Sequence, residues 1–316
     1  MSAGPTGPSS RVTTLGVPTS NEEGAGMSWS SAERAVLTRA VGEAPSVHNL
    51  VPWTAEIRAA GADLYDHAGA RRRRHDPAGR DRVISGGAAL TNLELALRAL
   101  GWAPETVLLP DAGRLDLLAR VTSPHRHEAT PEEVRHYSAI YRRHSYRSPF
   151  AVRAIDEQER RRLAAVSDGA MGRILDPAAE SAPLAEFLSH AGQAPRDDVA
   201  YRRELRAWSS PFGEPHGNSA LPWAHLPDTA TLAKRLAAEA LVLVLTPDDT
   251  RRDHLLAGHV MEQIWLAAVA RGLAGSVLTR PLRLHQVRAG LAAELGLAGF
   301  PQLILRFGYP VTGPRS

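Results

Sequence analysis

The chain has 316 residues, 43% of them hydrophobic and 22% charged, the make-up of a folded globular protein rather than a disordered or fibrous one. It has no cysteine, which excludes disulfides, thiolate nucleophiles, iron–sulfur clusters and cysteine-held zinc. Its formal charge is +3, with a single lysine, Lys234, and the arginines are scattered without a zinc-finger or aromatic RNA-binding signature, so nucleic acid is not an expected partner.

Residues 1–28 are rich in Gly, Pro, Ser and Thr and read as a flexible tail. No charged-then-apolar leader is legible, and no apolar run approaches the ~20 residues of a membrane helix. The expectation is a cytoplasmic protein with no membrane partner. Ser30 or Ser31 caps a helix over 32–41, which Gly42 ends. A strand over 54–58, a turn at Gly61 and a returning Asp63-Leu64-Tyr65 form a hairpin. A basic loop over 71–75 and an Asp76-Pro77-Ala78-Gly79 turn follow. From 83 to 100 the chain is apolar nearly all round a helix: Leu90, Leu93 and Leu97 occupy one side, and Ala88, Ala89, Leu95 and Ala96 fill the others. Such a helix is buried.

Residues 107–109 and 115–121 read as strands around an Asp111-Ala112-Gly113 turn, and 123–129 as a polar connector. Thr130-Pro131-Glu132-Glu133 opens a helix, with Thr at the N-cap, Pro at N1 and Glu at N3. Helices over 156–165 and 182–191 flank a strand at 173–175. Residues 207–228 hold four Pro, two Gly and two Trp, an irregular insert suited to a lid. A buried strand (240–245), a second long apolar helix (252–271) and strands at 276–279 and 302–307 complete the chain.

The two long helices match each other. Gly87 pairs with Gly258, Asn92 with Gln263, Leu93 with Ile264, Leu95 with Leu266, Ala96 with Ala267 and Gly101 with Gly272, all 171 positions apart. Two Ala/Leu-rich buried helices also agree by chance; a true duplication implies two copies of one α+β unit fused into a dimer-like single chain, a monomer in its expected form.

Arg143-His144-Ser145-Tyr146-Arg147-Ser148-Pro149-Phe150 resembles the Arg-x-Ser-x-(Arg/Lys)-x-Phe motif of the FMN-dependent nitroreductases. Pro45-Ser46-Val47-His48-Asn49-Leu50-Val51-Pro52-Trp53 resembles their Pro-Ser-x-x-Asn-x-Gln-Pro-Trp loop, with Val51 in place of Gln, and the closing Gly308-Tyr309-Pro310 resembles their last strand. The Pro-Ser loop precedes the Arg-Ser motif here, an order similar to the single-chain Acg branch of that superfamily. The resemblance implies an α+β nitroreductase-like fold: a flexible tail (1–28), one half at 29–125 and a second at 126–316, fused as an intrachain pseudo-dimer. Each half supplies one of the two motifs, so the resemblance implies one FMN per chain.

By that resemblance, Arg143 and Ser145 face the flavin phosphate and Arg147 the ribityl chain or pyrimidine edge, with His144 between them. Pro45, Ser46, Val47, His48 and Asn49 line the ring from the other half. Leu278 and Thr279 stand where the family sets a backbone N–H against flavin N5, and Arg315 is a further candidate for the phosphate. A cation beside the ring favours the reduced flavin. The resemblance implies an oxidoreductase passing hydride or electrons from NAD(P)H through FMN to a small planar acceptor such as a nitroaromatic, a quinone or a biosynthetic intermediate. The cofactor carries that chemistry, so no catalytic side chain is expected, and neither is a metal: His125-Arg126-His127 lacks a third ligand. A different reading is an FMN-binding storage protein without turnover, its flavin held beneath the 207–228 insert.

Overall fold

The structure is a computed structural model describing residues 29–46, 51–59, 61–67, 76, 78–146, 150–165, 171–192, 228–278, 282 and 285–311. Ser30 accepts from the Glu33 amide while the Glu33 carboxylate accepts from that of Ser30, a capping box that starts α1 (Ser31–Gly42). β1 (Trp53–Arg58) and β2 (Gly61–Asp66) form an antiparallel hairpin. Gly79, at φ 74°, admits the chain to α2 (Arg80–Ala99). β3 (Trp102–Leu108) and β4 (Leu117–Arg126) complete an antiparallel sheet of order β1-β2-β4-β3.

A second capping box, Thr130 with Glu133, opens α3 (Pro131–Ile140). There follow α4 (Glu157–Ala165), β5 (Gly172–Ile174), α5 (Pro177–Gly192), α6 (Thr229–Ala238), β6 (Ala240–Thr246), α7 (Arg251–Ala270), β7 (Ala274–Leu278), α8 (His285–Glu294) and β8 (Phe300–Gly308). Their strands form a second antiparallel sheet, β5-β6-β8-β7. Its order repeats that of the first, and in each sheet a long buried helix joins the second strand to the third.

Those two helices, α2 and α7, pack directly on one another. A Cβ on Gly87 would lie 2.0 Å from the Leu255 carbonyl oxygen, and one on Gly258 would lie 1.7 Å from that of Ile84. The matched glycines are therefore where the two backbones touch. Gly101 and Gly272 end the same helices at φ 84° and 82°, the left-handed stop glycine favours. The chain is two fused α+β repeats, a pseudo-dimer around a buried helical core.

The sheets differ in what covers them. In the second, Val242, Val244, Leu303 and Leu305 face the central core, while Leu241, Leu243 and Ile304 face a separate cluster with Leu184, Leu232, Leu236 and Leu291 of α5, α6 and α8. Both faces are buried, so β6 reads as an unbroken apolar run. The first sheet turns Ala62, Leu64, Ala119 and Val121 to the core. Asp63, from the alternate set, holds Arg58 and Arg120 instead.

Some elements differ from the sequence reading. The polar stretch after Val121 is strand, not connector: β4 continues to Arg126, whose guanidinium lies 3.7 Å from the Trp102 ring centroid. α2 begins at Arg80 rather than 83, with the buried Arg80 guanidinium donating to Gln302 and paired with Asp81. α5 begins at Pro177, a residue tolerated in a first turn. α6 and α8 match no element of the sequence reading; each buries only two residues, too sparse a pattern to mark a period. The tail 1–28, the loop 71–75 and nearly all of the 207–228 insert lie outside the described residues.

Candidate functional site

The end of α1 leads into one motif. Glu43 caps the helix, Pro45 and Ser46 are half-buried behind it, and Ser46 Oγ accepts from the Val51 amide at 3.2 Å. Val51 sits at φ 41°, a left-handed conformation that strains a β-branched residue, and is 43% exposed.

The second motif follows α3 and turns inward. The Arg143 side chain is 8% exposed. Its Nη2 donates to the Glu43 carbonyl at 2.6 Å, its Nε lies 3.1 Å from Glu262 Oε1, and its Cζ is 4.9 Å from the Trp265 ring centroid. Ser145 forms a parallel bridge with Gly275 on β7, and the Tyr146 amide donates to the Gly275 carbonyl at 2.8 Å. Tyr146 stacks on Phe150, with centroids 5.2 Å apart, and Phe150 lies where a Cβ on Gly308 would stand. The Ala151 amide donates to the Tyr309 carbonyl, and the Val311 amide donates to the Tyr146 hydroxyl. Segments remote in sequence thus meet: Glu43 with Arg143, and Tyr146, Phe150 and Ala151 with 308–311.

Glu262 is the electrostatic centre of the Arg143 contacts. It is 0% exposed, and neither carboxylate oxygen has a hydrogen-bond partner among the described residues. Burial pushes its carboxyl up to about 7, against the pull of Arg143. Trp265 Nε1 and Ser276 Oγ are also buried without a hydrogen-bond partner among the described residues. Glu43, Glu262 and Trp265 were missed in the sequence reading; the available signal was a carboxylate in the middle of a helix apolar on every side.

Of the residues named from the sequence, Arg143 and Ser145 lie here, and Pro45 and Ser46 follow the Glu43 carbonyl that Arg143 holds by two and three positions. His144 is exposed, with Nδ1 3.1 Å from the Arg142 carbonyl. Leu278 turns its side chain into the outer cluster of the second sheet, leaving only its main chain for a ligand. Val47, His48, Asn49, Arg147, Thr279 and Arg315 lie outside the described residues. His127 is engaged by Glu133 at 2.8 Å, and no group of three metal-ligating side chains occurs among the described residues. Among them, too, no helix is long and apolar enough to cross a membrane.

The internal repeat supplies a counterpart. Counting back 171 positions, Glu262 becomes Thr91 and Trp265 becomes Glu94. Thr91 and Glu94 line a cavity of about 360 Å³ with Arg98, Glu132, Glu133 and His136. Burial holds the His136 imidazole below its usual range, toward the neutral form, so three carboxylates there face one guanidinium.

No family model matches the chain. A Mycobacterium tuberculosis protein provisionally named NAD(P)H nitroreductase Rv3131 is 30% identical over 301 residues, covering 87% of this chain and 84% of that protein. The chain belongs to the nitroreductase family. A second relative, named for the same activity and called acg, also from M. tuberculosis, is 27% identical over 84% of this nitroreductase-family chain and 85% of its own. Among solved structures, a nitroreductase with bound FMN from Bacteroides fragilis covers 57% of the chain and 91% of its own length, at 16% identity and a TM-score of 0.39.

Proposed function

We propose that this chain is an FMN-dependent oxidoreductase, taking hydride from NAD(P)H and passing hydride or electrons to a small planar acceptor. The observation that carries the reading is the hydrogen bond from Arg143 to the Glu43 carbonyl at the end of α1, which brings the Arg-Ser motif of one half to the chain leading into Pro45-Ser46 of the other, with Ser145 bridged to Gly275 of β7. The donor set fits FMN. A guanidinium and the exposed Ser145 suit a phosphate, and Ser46 and the β7 main chain suit the polar rim of a flat ring. Family membership supports it, as do relatives named NAD(P)H nitroreductase.

When bound, the flavin supplies the redox chemistry. The chain's own residues bind and orient it. Arg143 offers charge and Ser145 a hydroxyl, and Tyr146, Phe150 and Gly308 fix the Arg-Ser segment on the second sheet. We place the two halves at 29–125 and 126–316, and the proposal includes Arg147, Val47, His48, Asn49, Thr279 and Arg315 as flavin neighbours. One FMN binds per chain, since the acidic mate cavity repels a second phosphate.

The test begins with purified protein. It is expected to be yellow with one FMN per chain, to bleach when NADPH is added without air, and to lose at least about tenfold in FMN affinity as Arg143→Ala. Yellow protein that NADPH does not bleach indicates storage without turnover. Colourless protein that takes up no added FMN ends the reading.

A further inference from the structure

We propose that Arg143 is shared between the flavin phosphate and the buried Glu262 carboxylate, so that FMN binding carries a proton from solvent onto Glu262. The inference rests on the flavin reading above. Its starting point is a group that reading does not use: a carboxylate with no access to water, both oxygens without a hydrogen bond among the described residues, and one guanidinium 3.1 Å away. α2, α3, α4, β6, β7 and β8 all pack on α7. None of them brings a second charge to Glu262 among the described residues; Arg143 alone acts on it. Glu43 offers the same guanidinium its carbonyl, not its carboxylate.

Arg143 has a single positive charge to divide. An arriving phosphate carries nearly two negative charges and draws on that charge. The attraction that offsets the burial of ionised Glu262 weakens by the same act. An enclosed carboxylate without compensation takes a proton rather than remain charged. The balance is FMN plus one proton from water giving the complex, with the proton on a Glu262 oxygen and no bond to the flavin made or broken. In the flavin-free protein the ion pair fills the anion position, and Glu262 thereby sets how tightly phosphate is held at a given pH.

The experiment measures FMN affinity by flavin fluorescence quenching at pH 6, 7 and 8, for the parent chain and for Glu262→Gln. The ratio of parent to variant Kd is expected to rise about tenfold from pH 6 to pH 8, because only the parent must acquire the proton. Taking the ratio cancels the titration of the FMN phosphate itself. Riboflavin, which has no phosphate, is expected to give a flat ratio. A readout needing no variant is calorimetry of the parent chain at pH 8 in two buffers of different ionisation enthalpy. There the FMN phosphate is fully ionised, and an uptake of about half a proton or more per flavin is expected. FMN that binds with a constant ratio and no proton uptake overturns the inference and leaves the flavin reading standing. If neither protein binds FMN at any pH, both fall together.

Discussion

Glu262 has a second consequence, for the protein without ligand. Its carboxyl is raised to about 7 from an ordinary value near 4.5. Between those values the folded chain keeps a proton that the unfolded chain has released. Stability from this group is therefore greatest below about pH 4.5, falls as pH rises to 7, and is level above that. The size is on the order of 3 kcal/mol. Urea midpoints of flavin-free parent and Glu262→Gln at pH 5 and 7.5 check it: the parent is expected to lose stability relative to the variant across the interval. Equal slopes would remove Glu262 from the account. At this scale the sequence exposed Arg143, because a motif surrounds it. It did not expose Glu262, because a charged residue in an apolar helix is legible as odd but its partner is 119 positions away.

Elements here are held by polar hubs as much as by apolar faces. Asp249, in the loop between β6 and α7, accepts from His254 of α7 at 2.9 Å and from Gln302 of β8 at 3.2 Å, and it also holds Arg288 of α8. Burial works against its charge, yet the hydrogen bonds from His254, Gln302 and Arg288 outweigh it and bring the carboxyl to about 2. For a depressed carboxylate, the stability is present above its unfolded value near 3.8 and is lost as pH falls through 2. Asp249→Asn is expected to melt several degrees below the parent at neutral pH, with the gap closing from about pH 4 to pH 2. A gap constant through that range would show that the charge is not what matters. Capping boxes made the starts of α1 and α3 legible, since Ser30–Glu33 and Thr130–Glu133 are local signals. The end of β4 was not legible: its polar residues are strand only because β3 pairs with them.

For the whole molecule the decisive contact is α2 against α7. Both glycines that match at the internal repeat stand where a methyl group would enter the facing backbone. Gly258→Ala is expected to cost about 1–3 kcal/mol or more, because the obstacle is the main chain at Ile84 rather than a side chain that can turn away. Chemical denaturation measures this, and an alanine protein as stable as the parent would mean that the helices sit further apart. The same crossing joins the two repeats, so the substitution is also expected to weaken FMN binding at the proposed site.

The sequence by itself determined most of the elements, the internal repeat and the family, because caps, helical periodicity and short motifs are written in adjacent residues. Only the tertiary structure decided which residues from separate segments meet. It set Arg143 against Glu43 and Glu262, covered both faces of one sheet but not of the other, and made the mate cavity acidic. Charge pairing and burial depend on distance in space, which no local pattern records.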